Sequence, residues 1–355
     1  MQPRIGILTG GGDCPGLNAV IRAVAKSLMR QCGAEVIGIE DGFAGLMEDT
    51  PRVRALTWDA VSGILMRGGT ILGTSNRADP LRSAADTERV LRHVAALGLQ
   101  GLVVIGGDGS MSIAHGLAQH GLRVVGVPKT IDNDIPGCER SFGFDTAVAT
   151  VTEAIERLQT TAQSHGRVMI VETMGRWAGW IALEAGLAGA ADVILLPEID
   201  YDIEAVAAVC RAREQRQRYT IVCIGEGARP IGGQYTVRAT VEGSPDPIRL
   251  GGVAHALAAA LQPRVRSEVR ATVLGHVQRG GSPTPFDRVL ATQYGNEAAQ
   301  LVMAGAWGRM VTLQHGRLGS VALADAAHGN RRVPLDDPLL RAARQIGISL
   351  GEPSV

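Results

Sequence analysis

The sequence predicts an α/β protein of two Rossmann-like three-layer αβα domains with mostly parallel sheets, and three observations carry that reading. Short β-branched runs alternate with amphipathic segments from one end of the chain to the other. A length of 355 residues exceeds one average domain and suits two such units. The 46 glycines, in a chain that is 45% hydrophobic, supply the many tight strand-to-helix turns that alternation requires.

Buried strands are expected over residues 5–9, 36–39, 102–105, 124–127, 168–172, 193–196, 220–224 and 271–274, where apolar and β-branched residues predominate. Helices are expected over 17–30, 145–162, 203–218 and 286–304, where apolar residues recur at helical spacing, with a short helix in the tail after Pro334. One boundary is placed near 137–142, after the fourth strand. A second crossing falls in the Gly/Pro-rich stretch 225–252, which contains GARPIGGQY and EGSPDPIRLGG. The expected division is therefore 1–138 plus 252–304 for one domain and 139–251 plus 305–355 for the other.

Basic and acidic residues balance at 35 each, which argues against a general nucleic-acid or membrane binder while leaving room for a local anion site. Lys26 and Lys129 are the only lysines, so a lysine inside a strand-end motif stands out. Five cysteines, scattered without CxxC or Cys/His spacing, read as reduced thiols of a cytoplasmic protein, with neither a disulfide frame nor a zinc site. The first strand starts almost at once, leaving no room for a leader, and no apolar run reaches the roughly 18 residues of a membrane span.

The stretch VVGVPKTIDNDI, residues 124–135, is where chemistry is expected. A buried strand ends there and delivers Lys129, Thr130, Asp132 and Asp134 within six positions. In an extended segment the two aspartates would share a side, one taking a hydroxyl proton while the other orients the base or a metal. Standing alone, Asp-Asn-Asp would make Asx turns and nothing more.

Two glycine-rich turns lie at neighbouring strand ends. The first strand closes on GGGDCPG, which includes Gly11, and the third on Gly107, Asp108, Gly109 and Ser110. Glycines let backbone amides approach an anion, and the following helix adds a favourable dipole. A carboxylate at Asp108 could hold Mg²⁺ while the glycines admit phosphates; its plain alternative is a helix cap. Two phosphate-friendly turns in neighbouring βα units favour a nucleotide or diphosphate site, because open α/β sheets bind ligands at the carboxyl ends of their strands. Around the second unit's strands stand Arg167, Met174, Gly175, Arg176, Glu226, Arg270, His276 and Arg279, and the arginine forks among them suit a sugar phosphate.

GGDCPGLNAVIR, GGDGS, PKTIDND, SHGRVMIVETMGR and ATVLGHVQRGGSPTPFDR, in that order and spacing, resemble the motifs of the 6-phosphofructokinase family over nearly the whole chain. The resemblance implies Asp132 as general base on the 1-hydroxyl of fructose 6-phosphate, with Thr130 and Asp134 beside it and Arg176 supporting the transferring phosphoryl group. It implies that Met174, Gly175, Glu226, His276 and Arg279 hold the sugar phosphate. Arg167 and Arg270 would reach in from a neighbouring subunit of a homodimer or homotetramer. Gly11, Arg77, Lys129 and the turn from Gly107 to Ser110 would hold the phosphoryl donor, and Asp108 its Mg²⁺, although GTSNR at Arg77 is one residue longer than the commonest family form. The domain 1–138 plus 252–304 would then carry ATP and Mg²⁺, and the other domain the sugar.

Family members that use ATP usually carry glycine both after GGD and before TIDND, whereas pyrophosphate users carry aspartate and lysine. Gly109 with Lys129 is a mixed pair, similar to a bacterial mixed-substrate subgroup. A carboxylate at 109 would repel or block the phosphate nearest the nucleoside, so its absence leaves room for ATP, with a pyrophosphate-dependent phosphofructotransferase as the alternative. A non-catalytic sugar-phosphate sensor would need a missing catalytic residue, and Asp108, Asp132, Asp134 and Arg176 are all present.

Overall fold

The computed structural model describes residues 2–216, 219–240, 248–327 and 329–353. The EGSPDP stretch and the last two residues of the helix expected over 203–218 lie outside the described residues. In chain order the strands are β1 (Arg4–Thr9), β2 (Glu35–Ile39), β3 (Val53–Ala55), β4 (Gly101–Gly106), β5 (Val124–Pro128), β6 (Val168–Thr173) and β7 (Val193–Leu195). They continue as β8 (Thr220–Gly225), β9 (Val237–Thr240), β10 (Ile248–Leu250), β11 (Val269–Val273), β12 (Arg309–Gln314) and β13 (Arg317–Ala322).

Every strand expected from the sequence is present, and the strands form two main sheets. The larger runs β13-β12-β5-β4-β1-β2-β3, parallel except at β3 and β13 on its edges. The smaller runs β11-β6-β8-β7 and is wholly parallel, while β9 and β10 make a separate antiparallel ribbon. Both faces of the smaller sheet are covered: Met169 and Val171 of β6 join one core cluster, and Val168 and Ile170 join another. Alternate residues of a strand point to opposite faces, so burial of both sets defines a sheet between two helical layers.

Two pieces of the expected domain division exchange places. Residues 269–273, assigned with the first unit, form β11 and pair in register with β6, Val269 opposite Val168. Residues 309–322, assigned with the second, form β12 and β13 and extend the larger sheet, Arg309 opposite Val125. Parallel pairing to an exposed sheet edge, which sequence order does not reveal, decides both cases. The helix Pro285–Met303 does return to the first unit, where it packs on Leu17–Cys32 so closely that a Cβ on Gly295 would lie 2.7 Å from that of Ala23. The tail helix Pro338–Gln345, capped by Asp337, packs on Trp180–Ala188 beside the smaller sheet.

Register fixes where the chemistry gathers. Thr9 lies opposite Ile105, and Ile105 opposite Val127, so the loops leaving β1, β4 and β5 emerge along one edge. The Gly10 amide donates to Ile105 O at 2.9 Å and the Lys129 amide to Gly106 O at 2.9 Å, carrying the alignment past the last strand residues.

Candidate active site

A cleft of about 930 Å³ opens along that edge, between the carboxyl ends of β1, β4 and β5 on one side and of β6 and β8 on the other. Every residue proposed from the sequence lines it except Gly175, Arg167 and Arg270. Gly175 is the buried pivot between Met174 and Arg176: its φ is 131°, and a Cβ there would lie 2.6 Å from Ala178 O, so only glycine fits the turn. Arg167 pairs with Glu268 at 2.5 Å and Arg270 with the other oxygen of Glu268. Both arginines stand at the amino ends of β6 and β11, away from their own chain's cleft.

The turn after β1 is shaped for close approach. Gly11 adopts φ 77°, its amide donates to Ser75 O at 3.0 Å, and Thr74 Oγ1 donates to Gly11 O at 2.6 Å. This tie brings the 74–79 loop, with Arg77, to the cleft wall. A Cβ on Gly12 would meet Arg279 Nη1 at 2.7 Å, and that nitrogen donates to Asp13 O at 3.1 Å, so glycine seats the arginine against the turn. After β4 the helix Asp108–Gln119 begins directly on Asp108, leaving first-turn amides without intrahelical partners. A Cβ on Gly109 would meet nothing within 4 Å, so the space beside it belongs to a ligand or solvent.

Lys129 spans two of these turns from a buried position, its ammonium donating to Gly12 O. Burial, chiefly, lowers its pKa from the ordinary lysine value, with Arg279 adding to the fall and Cys14, Asp132 and Asp108 opposing it.

Asp132 and Asp134 do meet in the cleft, but not by the extended geometry expected of them. Asn133 between them has φ 54°, so the chain turns there. Its side chain accepts from the Ser141 amide at 2.9 Å and donates to Glu139 O at 3.2 Å, local bonds of the kind that stabilise a left-handed asparagine. Asp132 is 5% exposed, and its Oδ1 is buried with no hydrogen-bond partner. A buried carboxylate oxygen left unsatisfied in a cleft is a group awaiting a ligand proton or cation.

Burial and then the charge of Asp132 push the Asp134 carboxyl up to about 7, while Arg176 pulls it down. Glu226 is likewise raised to about 7 by burial and Asp132, with the Arg176 amide, which donates to its Oε1 at 3.1 Å, opposing. Both groups bind protons more tightly folded than unfolded. Their stabilising contribution is therefore present below about pH 4 and lost as pH rises through about 7. Asp134→Asn is expected to flatten the fall in melting temperature between about pH 5 and pH 8, read by calorimetry of the ligand-free protein; an unchanged slope would count against this electrostatic picture.

Some lining residues carried no signal in the sequence. Trp177 follows the MGR motif and stacks edge-on against Tyr235 at 4.8 Å. Arg238 and Arg249 come from the β9–β10 ribbon, whose short strands, exposed in β9 and partly buried in β10, sit in a glycine-rich stretch that reads as loop. Behind the lining, Gln278, which the sequence places between His276 and Arg279, is wholly buried and accepts from the Met174 amide at 3.2 Å, joining the His276–Arg279 turn to the end of β6.

A family model described as phosphofructokinase matches residues 4–302. An ATP-dependent 6-phosphofructokinase from Chloroflexus aurantiacus is 51% identical over 360 residues, covering 99% of this chain and 98% of that relative. ATP-dependent 6-phosphofructokinase 2 from Clostridium perfringens is 46% identical over 367 residues, covering 99% and 100% respectively. The solved phosphofructokinase of Saccharomyces cerevisiae superposes with a TM-score of 0.80 at 28% identity over 92% of this chain, which spans only 45% of the yeast chain. The family match, together with two relatives sharing about half their residues end to end, shows that the chain belongs to the phosphofructokinase family.

Proposed function

We infer that this chain is an ATP-dependent 6-phosphofructokinase, transferring the terminal phosphoryl group of ATP to the 1-hydroxyl of fructose 6-phosphate in glycolysis. The observation that carries the reading is the unpartnered buried oxygen of Asp132, set in one cleft with two glycine turns and the arginines of the second sheet. Relatives about half identical to it are named ATP-dependent, and the open space beside Gly109 suits the longer donor.

Phosphoryl transfer asks the protein mainly to align donor and acceptor and to neutralise charge. Amides of the Gly11 and Gly107–Ser110 turns, with Arg77 and Lys129, receive the donor phosphates. Met174, Gly175, Glu226, His276 and Arg279 hold the sugar phosphate so that its O1 faces Asp132. Asp132 takes the hydroxyl proton as O1 attacks phosphorus; Thr130 Oγ1, accepting the Asp132 amide at 3.0 Å, fixes the base. Asp134, which holds its proton into the neutral range, limits carboxylate repulsion beside that base, and Arg176 faces the charge that moves with the phosphoryl group.

Among the described residues no group of three or more His, Cys, Asp or Glu could cage a metal. Asp108 alone at the donor turn nevertheless fits Mg²⁺, which commonly binds through one or two carboxylates, water and substrate phosphates. When bound, the ion neutralises the donor's charge. Arg167 and Arg270 complete the sugar site of a neighbouring copy, which requires a homodimer or homotetramer, and the enzyme works in the cytoplasm.

Lys129 supports a second reading, since a buried cation behind the donor turn serves pyrophosphate as well as ATP. A coupled assay on fructose 6-phosphate with each donor separates the two. Turnover with ATP at least tenfold faster than with pyrophosphate is expected; the reverse order would assign the pyrophosphate reaction, and no turnover with either would leave a sugar-phosphate sensor.

A further inference from the structure

The turn carrying Asp132 is held from a part of the chain that the family match does not reach. Arg331 lies beyond residue 302, between the β13 strand and the tail helix. Its backbone amide donates to Asp134 O at 2.7 Å, and its Nη1 donates to Asn133 O at 2.9 Å. Two successive carbonyls of the turn are thereby gripped by one residue. The guanidinium is itself stacked on the Trp180 ring, 4.0 Å from its centroid, and the Trp180 indole donates back to Arg331 O at 3.0 Å. Two residues on, the Val333 amide donates to Glu198 Oε1 at 2.9 Å, the same oxygen that accepts the Gly179 amide at 2.9 Å.

Residues 331–333 thus strap the Asp132 turn, on the larger sheet, to the start of the helix Trp180–Ala188, on the smaller one. That helix begins four residues after Arg176. The base and the arginine that serves the phosphoryl group are therefore tied through one short segment.

The turn needs such a tie. Asn133 occupies the left-handed region at φ 54°, which asparagine tolerates, so its local bonds set the bend while the placement of the whole turn depends on what holds its backbone. Ser141 and Glu139 restrain the Asn133 side chain, and Ser141 Oγ donates to Thr130 O at 2.8 Å, but these contacts all come from the following loop. Arg331 grips the backbone itself and is anchored on the other unit, where its guanidinium stacks on the buried indole of Trp180.

We propose that Arg331 is a positioning residue for the reaction, fixing the Asp132 turn through the Asn133 and Asp134 carbonyls and coupling it to the Trp180 helix. This rests on the phosphofructokinase reading above. It is tested with purified full-length wild type, Arg331→Met, Arg331→Lys and Trp180→Phe, assayed with ATP and fructose 6-phosphate. Methionine keeps the stem and removes the side-chain donor. A misplacement of about 1 Å can cost roughly 100-fold, so Arg331→Met is expected to lower kcat by roughly 10- to 100-fold, with both KM values within about threefold. Arg331→Lys, which can still donate to Asn133 O, should recover at least about a third of the wild-type kcat.

Trp180→Phe removes the indole donor and part of the ring on which Arg331 stacks while keeping an aromatic face, and should lower kcat in the same direction by less; it carries the test should the methionine variant not fold. A methionine variant with kcat within twofold of wild type overturns the proposal. So does a kcat loss that lysine fails to relieve, or a loss matched by a collapse in substrate affinity. If wild type itself does not turn over these substrates, the functional reading fails and the proposal with it; an active wild type beside an unaffected variant set removes the proposal alone.

Discussion

Asp132→Asn is expected to lower kcat by roughly 10²- to 10⁴-fold with fructose 6-phosphate and ATP, leaving both KM values within a few fold. The change keeps the side chain's size and removes its capacity to take a proton. Asp132 is buried at 5% exposure, and its Oδ1 makes no bond within the chain, so the substitution breaks no structural hydrogen bond at that atom. The folded state should be stable to the same degree or more, because the carboxylate that raises both Asp134 and Glu226 disappears. A second consequence follows from that coupling: the upward shift of Asp134 should shrink in the variant, moving its titration toward the ordinary carboxylate range. A variant retaining more than about a tenth of wild-type kcat would assign the base elsewhere, with Asp134 or Glu226 the groups to try next.

Gly109→Asp should abolish ATP use without harming the fold. The helix Asp108–Gln119 starts one residue earlier, so an acidic side chain at 109 meets the positive end of the helix, and a Cβ there touches nothing within 4 Å. Stability is therefore expected to hold or rise. The cost falls on the ligand: a carboxylate about 4 Å from the phosphate nearest the nucleoside, a group pyrophosphate lacks, at an effective dielectric near 20, costs about 4 kcal/mol, or roughly 10³-fold in kcat/KM for ATP. Pyrophosphate, which has no nucleoside side to accommodate, should lose far less. Unchanged ATP kinetics in this variant would show that the space beside Gly109 is not where the donor lies.

The parallel strands could be read from the sequence because both their faces are buried. GLVVIG of β4 and VVGVP of β5 are apolar at every position, a pattern no exposed loop sustains. The strands that were missed lack it. β9 is exposed throughout, β3 and β10 have three residues each, and RMVTLQ with RLGSVA at β12 and β13 belongs to an edge hairpin with one open side. Missing that hairpin also misplaced the tail's share of the domain division, since β12 adds to β5 with Arg309 opposite Val125, 184 residues earlier.

Most of the candidate cleft's lining was legible for a related reason: nearly all of the proposed groups, Arg77 excepted, lie within a few residues of a strand end, so motif and position coincide. The geometry of the Asp132 turn was not, because the left-handed Asn133 turns an expected shared side into a bend. Arg331 left no trace at all. It acts on backbone carbonyls 198 and 197 residues away in sequence, and a carbonyl acceptor imposes no residue type on the position that carries it.

The central claim is that this cleft moves a phosphoryl group from ATP onto the sugar's 1-hydroxyl. Phosphorus NMR of the wild-type protein mixed with ATP, Mg²⁺ and fructose 6-phosphate tests it directly. The account predicts a new resonance for the C1 phosphate of fructose 1,6-bisphosphate, growing in step with ADP. Release of inorganic phosphate with ADP, or an unchanged spectrum, would contradict it.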